Sequence, residues 1–242
     1  LEVSYFEKGK LIVPEQAKSK ILLEQQRFLE KLQEISSEIE ILYKYRFVLN
    51  AFAIKYESSI SEQIKDFPEV TFVSHQGIFQ RPEFEESSSA ILPKWGNTTS
   101  ASHIGGHKIL ENLKVRNEQG EEVPVDGSGV RVGIIDSGID YTHKMFAGEG
   151  TVKSYTDNDP STVDKRFFPN SKVIGGIDLV GSDYNASDFN LQKRTPKPDN
   201  NPLDEGGHGT HVAGTVAGIG DGHHTYDGVA PGAKLYAIKV FG

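Results

Sequence analysis

Asp136 and His208 are the residues around which chemistry could be organised in this 242-residue sequence. Asp136 closes the run Val130-Arg131-Val132-Gly133-Ile134-Ile135 and is followed at once by Ser137-Gly138, which reads as a buried strand ending in a carboxylate and then a turn. Functional groups in parallel sheets gather at the carboxyl ends of strands, where the loops leave a crevice. A carboxylate in that place can equally cap a helix, and the motif alone does not choose between the two. His208 and His211 stand in Gly206-Gly207-His208-Gly209-Thr210-His211-Val212-Ala213-Gly214-Thr215-Val216-Ala217-Gly218, a helix opening with almost no bulky side chains. Ala213, Gly214, Ala217 and Gly218 let such a helix pack tightly on a sheet, which fixes His208 in position. Each helical glycine costs about 1 kcal/mol, so close approach outweighs propensity here. His211, three residues further on, reads as support for the helix. A zinc helix of the His-Glu-x-x-His kind needs a glutamate where Gly209 stands. A metal protein built on His208, His211, His223 and His224 would have to retain its metal through dialysis.

The elements that must position these residues can be read from the pattern around them. Residues 130–135 form an apolar strand, 208–219 a helix and 233–241 a second strand, with 150–207 mostly loop and rich in Asp, Asn, Pro and Gly. Strand, long connection, helix, strand in that order predicts a parallel α/β sheet. Upstream, 103–113 reads as a short helix and 117–129 as a polar, turn-rich loop. Residues 15–39 carry Ile21, Leu22, Phe28, Leu29, Leu32 and Ile35 at three- and four-residue steps, the pattern of an amphipathic helix. From 39 to 56 the pattern alternates and favours β-formers, predicting two strands or one bent strand. Residues 58–67 open with a Ser-Ser capping signature and Glu62 and predict a second helix, 70–79 a further strand, and 3–13 a first one. This is a small α+β unit. Arg81-Pro82-Glu83-Phe84-Glu85-Glu86-Ser87-Ser88-Ser89 and the stretch after it carry proline, serine and charge without periodicity, which puts a domain boundary there. The division is 1–82, a linker at 83–102, and 103–242.

Composition removes several classes of function. A net charge of −8 without a basic run argues against a nucleic-acid surface, which needs clustered Lys and Arg. No stretch approaches the roughly 20 apolar residues of a membrane-spanning helix. The absence of cysteine rules out disulfides, thiolate metal sites and a cysteine nucleophile together.

Taken together, the motifs resemble the subtilase (subtilisin-like) family of serine proteases. Asp136-Ser137-Gly138-Ile139-Asp140 matches its aspartate motif and His208-Gly209-Thr210-His211-Val212-Ala213-Gly214-Thr215 its histidine motif, in the right order. Gly228-Val229-Ala230-Pro231-Gly232-Ala233-Lys234-Leu235-Tyr236-Ala237-Ile238-Lys239-Val240 looks like the turn and strand that follow. The resemblance implies an incomplete α/β, parallel-sheet catalytic domain preceded by a small α+β, ferredoxin-like inhibitory prodomain at 1–82, with processing in the 83–102 linker. It implies a secreted zymogen in which Asp136 and His208 are catalytic, with Asp140 and His143 structural. No serine follows His208, so the nucleophile and the oxyanion-hole asparagine are expected beyond Gly242. Phe241 and Gly242 would lead into the segment that pairs with extended substrate; Phe241 admits either a non-prime pocket wall or a core aromatic. The implied partners are protein or peptide substrates, the chain's own prodomain and the remaining C-terminal part of the catalytic domain.

No cofactor is implied with certainty. Many family members bind calcium through an aspartate shortly after the aspartate motif, and Lys144-Met145-Phe146 here do not match it. Asp199-Asn200-Asn201-Pro202-Leu203-Asp204 offers oxygen ligands for calcium, although turn chemistry explains that loop more simply. The long insertion between the two motifs, with residues 172–181, is most similar to larger subtilases that carry a further domain between histidine and serine. The competing reading is a non-catalytic inhibitory or binding module, or a degenerate protease fragment.

Overall fold

The computed structural model describes residues 5–7, 10–12, 14–46, 49–75, 77, 101, 104–220 and 227–242. The chain divides into two units, Leu1–Gly77 and Ile78–Gly242.

In the first unit, strands β1 (Tyr5–Glu7) and β2 (Lys10–Ile12) pair antiparallel. Helix α1 (Glu15–Ile35) follows Pro14, whose fixed φ suits a helix start, and stops when Ser36 turns extended at φ −159°. It buries Ile21, Gln25 and Leu32, spaced at near-multiples of a turn. The predicted helix to 39 thus ends four residues sooner. Strands β3 (Glu40–Tyr45) and β4 (Ala51–Lys55) pair antiparallel with an irregularity between Ile41 and Tyr43. Phe28 of α1 stacks on Phe52 of β4 at 5.8 Å and meets Phe67 edge-on at 5.6 Å, which ties the helix to the pair and to the chain beyond it. Gln25 donates to the carbonyl of Tyr45 at 2.8 Å and accepts from Arg46 Nε, so the one buried amide of α1 is satisfied.

Two expectations in this unit need correction. Residues 58–67 form a 3₁₀ turn (Ser58–Ile60) followed by α2 (Ser61–Lys65), and neither start is capped by a side chain, so the Ser-Ser signature does not act as a cap. Residues 70–75 contain no strand; Phe72 is exposed and its neighbours pair with nothing in a sheet. The rest of 70–79, apart from Gly77, lies outside the described residues, as does the 83–102 linker except Ala101.

In the second unit, α3 (Gly106–Asn112) precedes a hairpin of β5 (Lys114–Arg116) and β6 (Glu122–Pro124), and β6 falls within the 117–129 stretch read as a loop. Its sheet has three parallel strands in the order β7 (Arg131–Asp136), β9 (Lys234–Lys239), β8 (Val173–Asp178). Strand β8 lies inside the region read as mostly loop, which also holds the short helices α4 (Val152–Thr156) and α5 (Leu191–Arg194). The register aligns Asp136, Lys239 and Asp178 in one row at the carboxyl ends of the strands. Helix α6 (His208–Ala217) packs on β7 and β9. Gly209 is needed there: a Cβ would stand 2.2 Å from the carbonyl oxygen of Gly138. The core on this side is formed by Ile134, Ile139, Tyr141, Phe146, Ala213 and Leu235 with their neighbours. The opposite face of the sheet leaves Ile135, Ile177 and Tyr236 exposed, so β7 is buried on one face only and not throughout.

Candidate active site

The site begins at the end of β7, where Asp136 points to the face covered by α6. His208 is the first residue of that helix. Its Nδ1 lies 2.7 Å from Asp136 Oδ1 and 2.9 Å from Oδ2. Side chains 72 positions apart in sequence thus meet at hydrogen-bonding distance. The pair sits between core and solvent, with side-chain exposures of 22% for His208 and 12% for Asp136. Such partial burial strengthens a charge interaction without closing the ring off from a reactant. With the proton on Nδ1 and donated to the carboxylate, the lone pair of the ring is on Nε2.

The neighbouring residues hold this geometry. Asp136 Oδ1 also accepts from the Ser137 amide at 2.7 Å. Ser137 Oγ accepts from the Gly209 amide at 2.9 Å and donates to Asp204 at 2.9 Å. Asp140 accepts from the amide and hydroxyl of Thr142, and His143 Nδ1 accepts from the Met145 amide. Further along the same row, the Lys239 ammonium stands 3.4 Å from Asp178 and 2.8 Å from Glu205, three residues before His208.

Phe241 is half-buried and outside the main buried cluster, while Gly242 is exposed. The backbone at Gly242 runs against the loop at 181–184, where a Cβ would fall 2.4 Å from the carbonyl oxygen of Tyr184. His211 is exposed on α6, and His223 and His224 lie outside the described residues. Among the described residues no cluster of three or more His, Asp or Glu is arranged to hold a metal ion. Asp199, Asn201 and Asp204 of the Asp199–Asp204 loop engage their side-chain oxygens within the protein. Asn201 accepts from the Tyr141 hydroxyl and donates to the carbonyls of Asp159 and Thr162, and Asp199 accepts from the Asn201 amide. Burial, with Asp178 nearby, pushes the Asp199 carboxyl above its usual range. Among the described residues no helix is long and apolar enough to cross a membrane.

Three residues that shape this site have no catalytic signature in the sequence: Ser137, Asp204 and Lys239. Ser137 lies within the aspartate motif and Lys239 within the strand that follows the histidine helix. Asp204 stands four residues before His208, but nothing in the spacing says which groups its carboxylate meets.

Residues 127–242 match the model of the Subtilase family, and residues 5–81 match that of Peptidase inhibitor I9. Subtilisin-like protease SBT3.10 of Arabidopsis thaliana is 28% identical over 215 residues, covering 83% of this chain and 25% of that protein. Minor extracellular protease Vpr of Bacillus subtilis is 28% identical over 235 residues, covering 94% of this chain and 23% of its own length. Subtilisin DY of Bacillus licheniformis is 37% identical over 115 residues, 47% of this chain and 26% of that protein. The chain therefore spans about a quarter of the length of these curated relatives. With an inhibitor-type unit before it and both motifs in order within it, the C-terminal part of the chain, residues 127–242, matches the subtilase family.

Proposed function

We propose that this chain is part of a secreted serine endopeptidase zymogen, with an inhibitory prodomain at 1–82, a processing site in 83–102 and the start of the catalytic domain at 103–242. The observation that carries the reading is the contact of His208 Nδ1 with the Asp136 carboxylate at 2.7 Å, joining the end of a strand to the opening of a helix. His208 takes the proton of a serine hydroxyl supplied by the rest of the catalytic domain, through Nε2, as that oxygen attacks the peptide carbonyl. It then returns the proton to the leaving amine. Asp136 holds the imidazole in the Nδ1–H tautomer and stabilises the imidazolium without itself taking the proton. Phe241 and Gly242 border the path of an extended substrate, which binds by strand addition.

The test uses the protease that carries this chain, after removal of the prodomain. A fluorophosphonate probe is expected to label its serine, and His208→Ala to abolish the labelling. Asp136→Asn is expected to lower kcat about 10⁴-fold through the wrong imidazole tautomer. A protein that takes up no probe once freed of its prodomain would instead be a binding or inhibitory module.

A further inference from the structure

We propose that Asp204 is the positioning residue of this site: it locks the opening turn of α6 to the strand end that carries Asp136, and so sets how His208 meets its carboxylate. The inference rests on the protease reading above and assigns the group that holds the pair in register.

Helix α6 has no cap of its own. Gly207 precedes it at φ 83° and provides no side-chain acceptor, so the first amides of the helix must find partners elsewhere. Asp204, which is buried, supplies them. Its Oδ2 accepts from the Thr210 amide at 2.9 Å and the Thr210 hydroxyl at 2.5 Å. Its Oδ1 accepts from the amides of Gly206 and Gly207 and from the Ser137 hydroxyl, each at 2.9 Å. The residues just before His208 and the second one after it are thus tied to one carboxylate, and Gly209, between them, is tied through Ser137. Ser137 adjoins Asp136 in the chain, and the Thr210 hydroxyl accepts from the Asp140 amide at 2.9 Å. A single side chain therefore spans both partners of the pair. Its negative charge also stands at the positive end of the helix, and its bonds are of the stronger, charge-assisted kind.

The chemistry requires a carboxylate. Every group facing Asp204 in these five bonds is a donor, and each oxygen receives at least one backbone amide. An asparagine has one acceptor oxygen and one NH₂ group. Whichever way it turned, an N–H would face a backbone N–H, and the helix opening would have to move relative to Asp136. Small displacements of a catalytic group cost rate far more than they cost binding.

In the protease that carries this chain, Asp204→Asn is expected to lower kcat roughly 10–100-fold while KM stays within about 3-fold. Thr210→Val should lower kcat in the same manner and Thr210→Ser should restore it, which also decides the matter if Asp204→Asn fails to fold. A kcat close to that of the parent in Asp204→Asn, a loss carried by KM, or a Thr210→Val variant no slower than Thr210→Ser would overturn the inference. Asp136→Asn serves as the separate control. If it leaves activity unchanged the protease reading itself fails, whereas a large loss there beside a fully active Asp204→Asn removes the role of Asp204 alone.

Discussion

In the N-terminal unit the charged pairs lie on the surface, whereas in the C-terminal unit the decisive one is inside. Lys55 and Glu40, opposite each other on β4 and β3, keep side-chain exposures of 74% and 61%. Lys239 and Asp178, at corresponding ends of β9 and β8, keep 1% and 0%. The remaining polar groups follow the same division. Among the described residues, Gln25 and Ser61 are the buried polar residues of the first unit, whereas the second buries Lys172, Asp178, Asn201, Asp204 and Lys239 among others. An apolar contact such as Phe28 on Phe52 tolerates small shifts, but a buried polar network tolerates few, because each unmet partner costs its full desolvation. The contrast fits two tasks. Under the proposed zymogen reading, a unit that folds and is later removed needs a core, and a unit that must hold Asp136 against His208 needs one conformation.

The largest effect that would break this comparison lies at Lys239. Asp178 Oδ2 makes no hydrogen bond and depends on the ammonium 3.4 Å away to compensate its charge. Lys239→Met is expected to destabilise the second unit by about 3–5 kcal/mol, because it leaves a carboxylate buried and unpaired. Adding Asp178→Asn should recover more than half of that, since the acceptor for the Val180 and Gly181 amides survives. Amide hydrogen exchange, which reports each unit through its own amides, is the measurement. A loss well under 1 kcal/mol would mean that the interior pair is no more consequential than a surface one.

Much of the second unit is legible in the sequence, and what escapes does so for physical reasons. The run from Val130 to Asp136 and the small-residue helix at His208 carry their own periodicity, so β7, α6 and β9 were foreseen, and with them a parallel sheet. Strand β8 was not, because Gly175-Gly176 interrupts its apolar run. Those glycines mark close approach: a Cβ on Gly176 would stand 2.3 Å from the carbonyl oxygen of Ala237, and one on Gly175 would meet the Tyr236 ring at 2.7 Å. The converse holds at Val70, where alternating Val and Phe predict a strand and the described residues 70–75 form none. The place of Asp204 was illegible for another reason. Its bonds to Gly206, Gly207 and Thr210 are local, but its bond to Ser137 joins residues 67 positions apart, and local spacing carries no record of that meeting.

A smaller effect sharpens the comparison through pH. The Lys172 ammonium is buried and donates to the carbonyls of Pro231 and Ala233, which holds the turn before β9. Burial pushes its pKa down to about 8, Lys234 adds repulsion, and Asp126 and Asp227 act in the other direction. The unfolded chain therefore binds more protons than the folded one between pH 8 and 10.5, and the stability of the second unit should rise with pH across that window. The gain is at most about 3 kcal/mol. Tyr141 and Tyr155 oppose it at the upper end. Burial raises both phenols, so their contribution falls as pH climbs past the ordinary tyrosine range. Melting temperatures followed by circular dichroism should thus climb above pH 8 and then turn down, and Lys172→Met should flatten the climb. A Lys172→Met variant with the same alkaline rise would assign it to other groups.

The smallest expected effect is at Lys55, and its size is the point of measuring it. The ammonium stands 3.4 Å from Glu40 across the β3–β4 pair, with water around both side chains. Water screens the attraction, and ordering two long side chains offsets much of what remains, so Lys55→Met should cost between 0 and about 1 kcal/mol. Whatever it costs should vanish in about 1 M salt, where the screening length falls to a few ångströms. The penalty at Lys239 should persist under the same conditions, because solvent ions do not reach a pair with 0–1% exposure. Salt dependence at Lys239 equal to that at Lys55 would mean that solvent enters the end of the sheet, and the distinction between an exterior and an interior ion pair would no longer separate the two units.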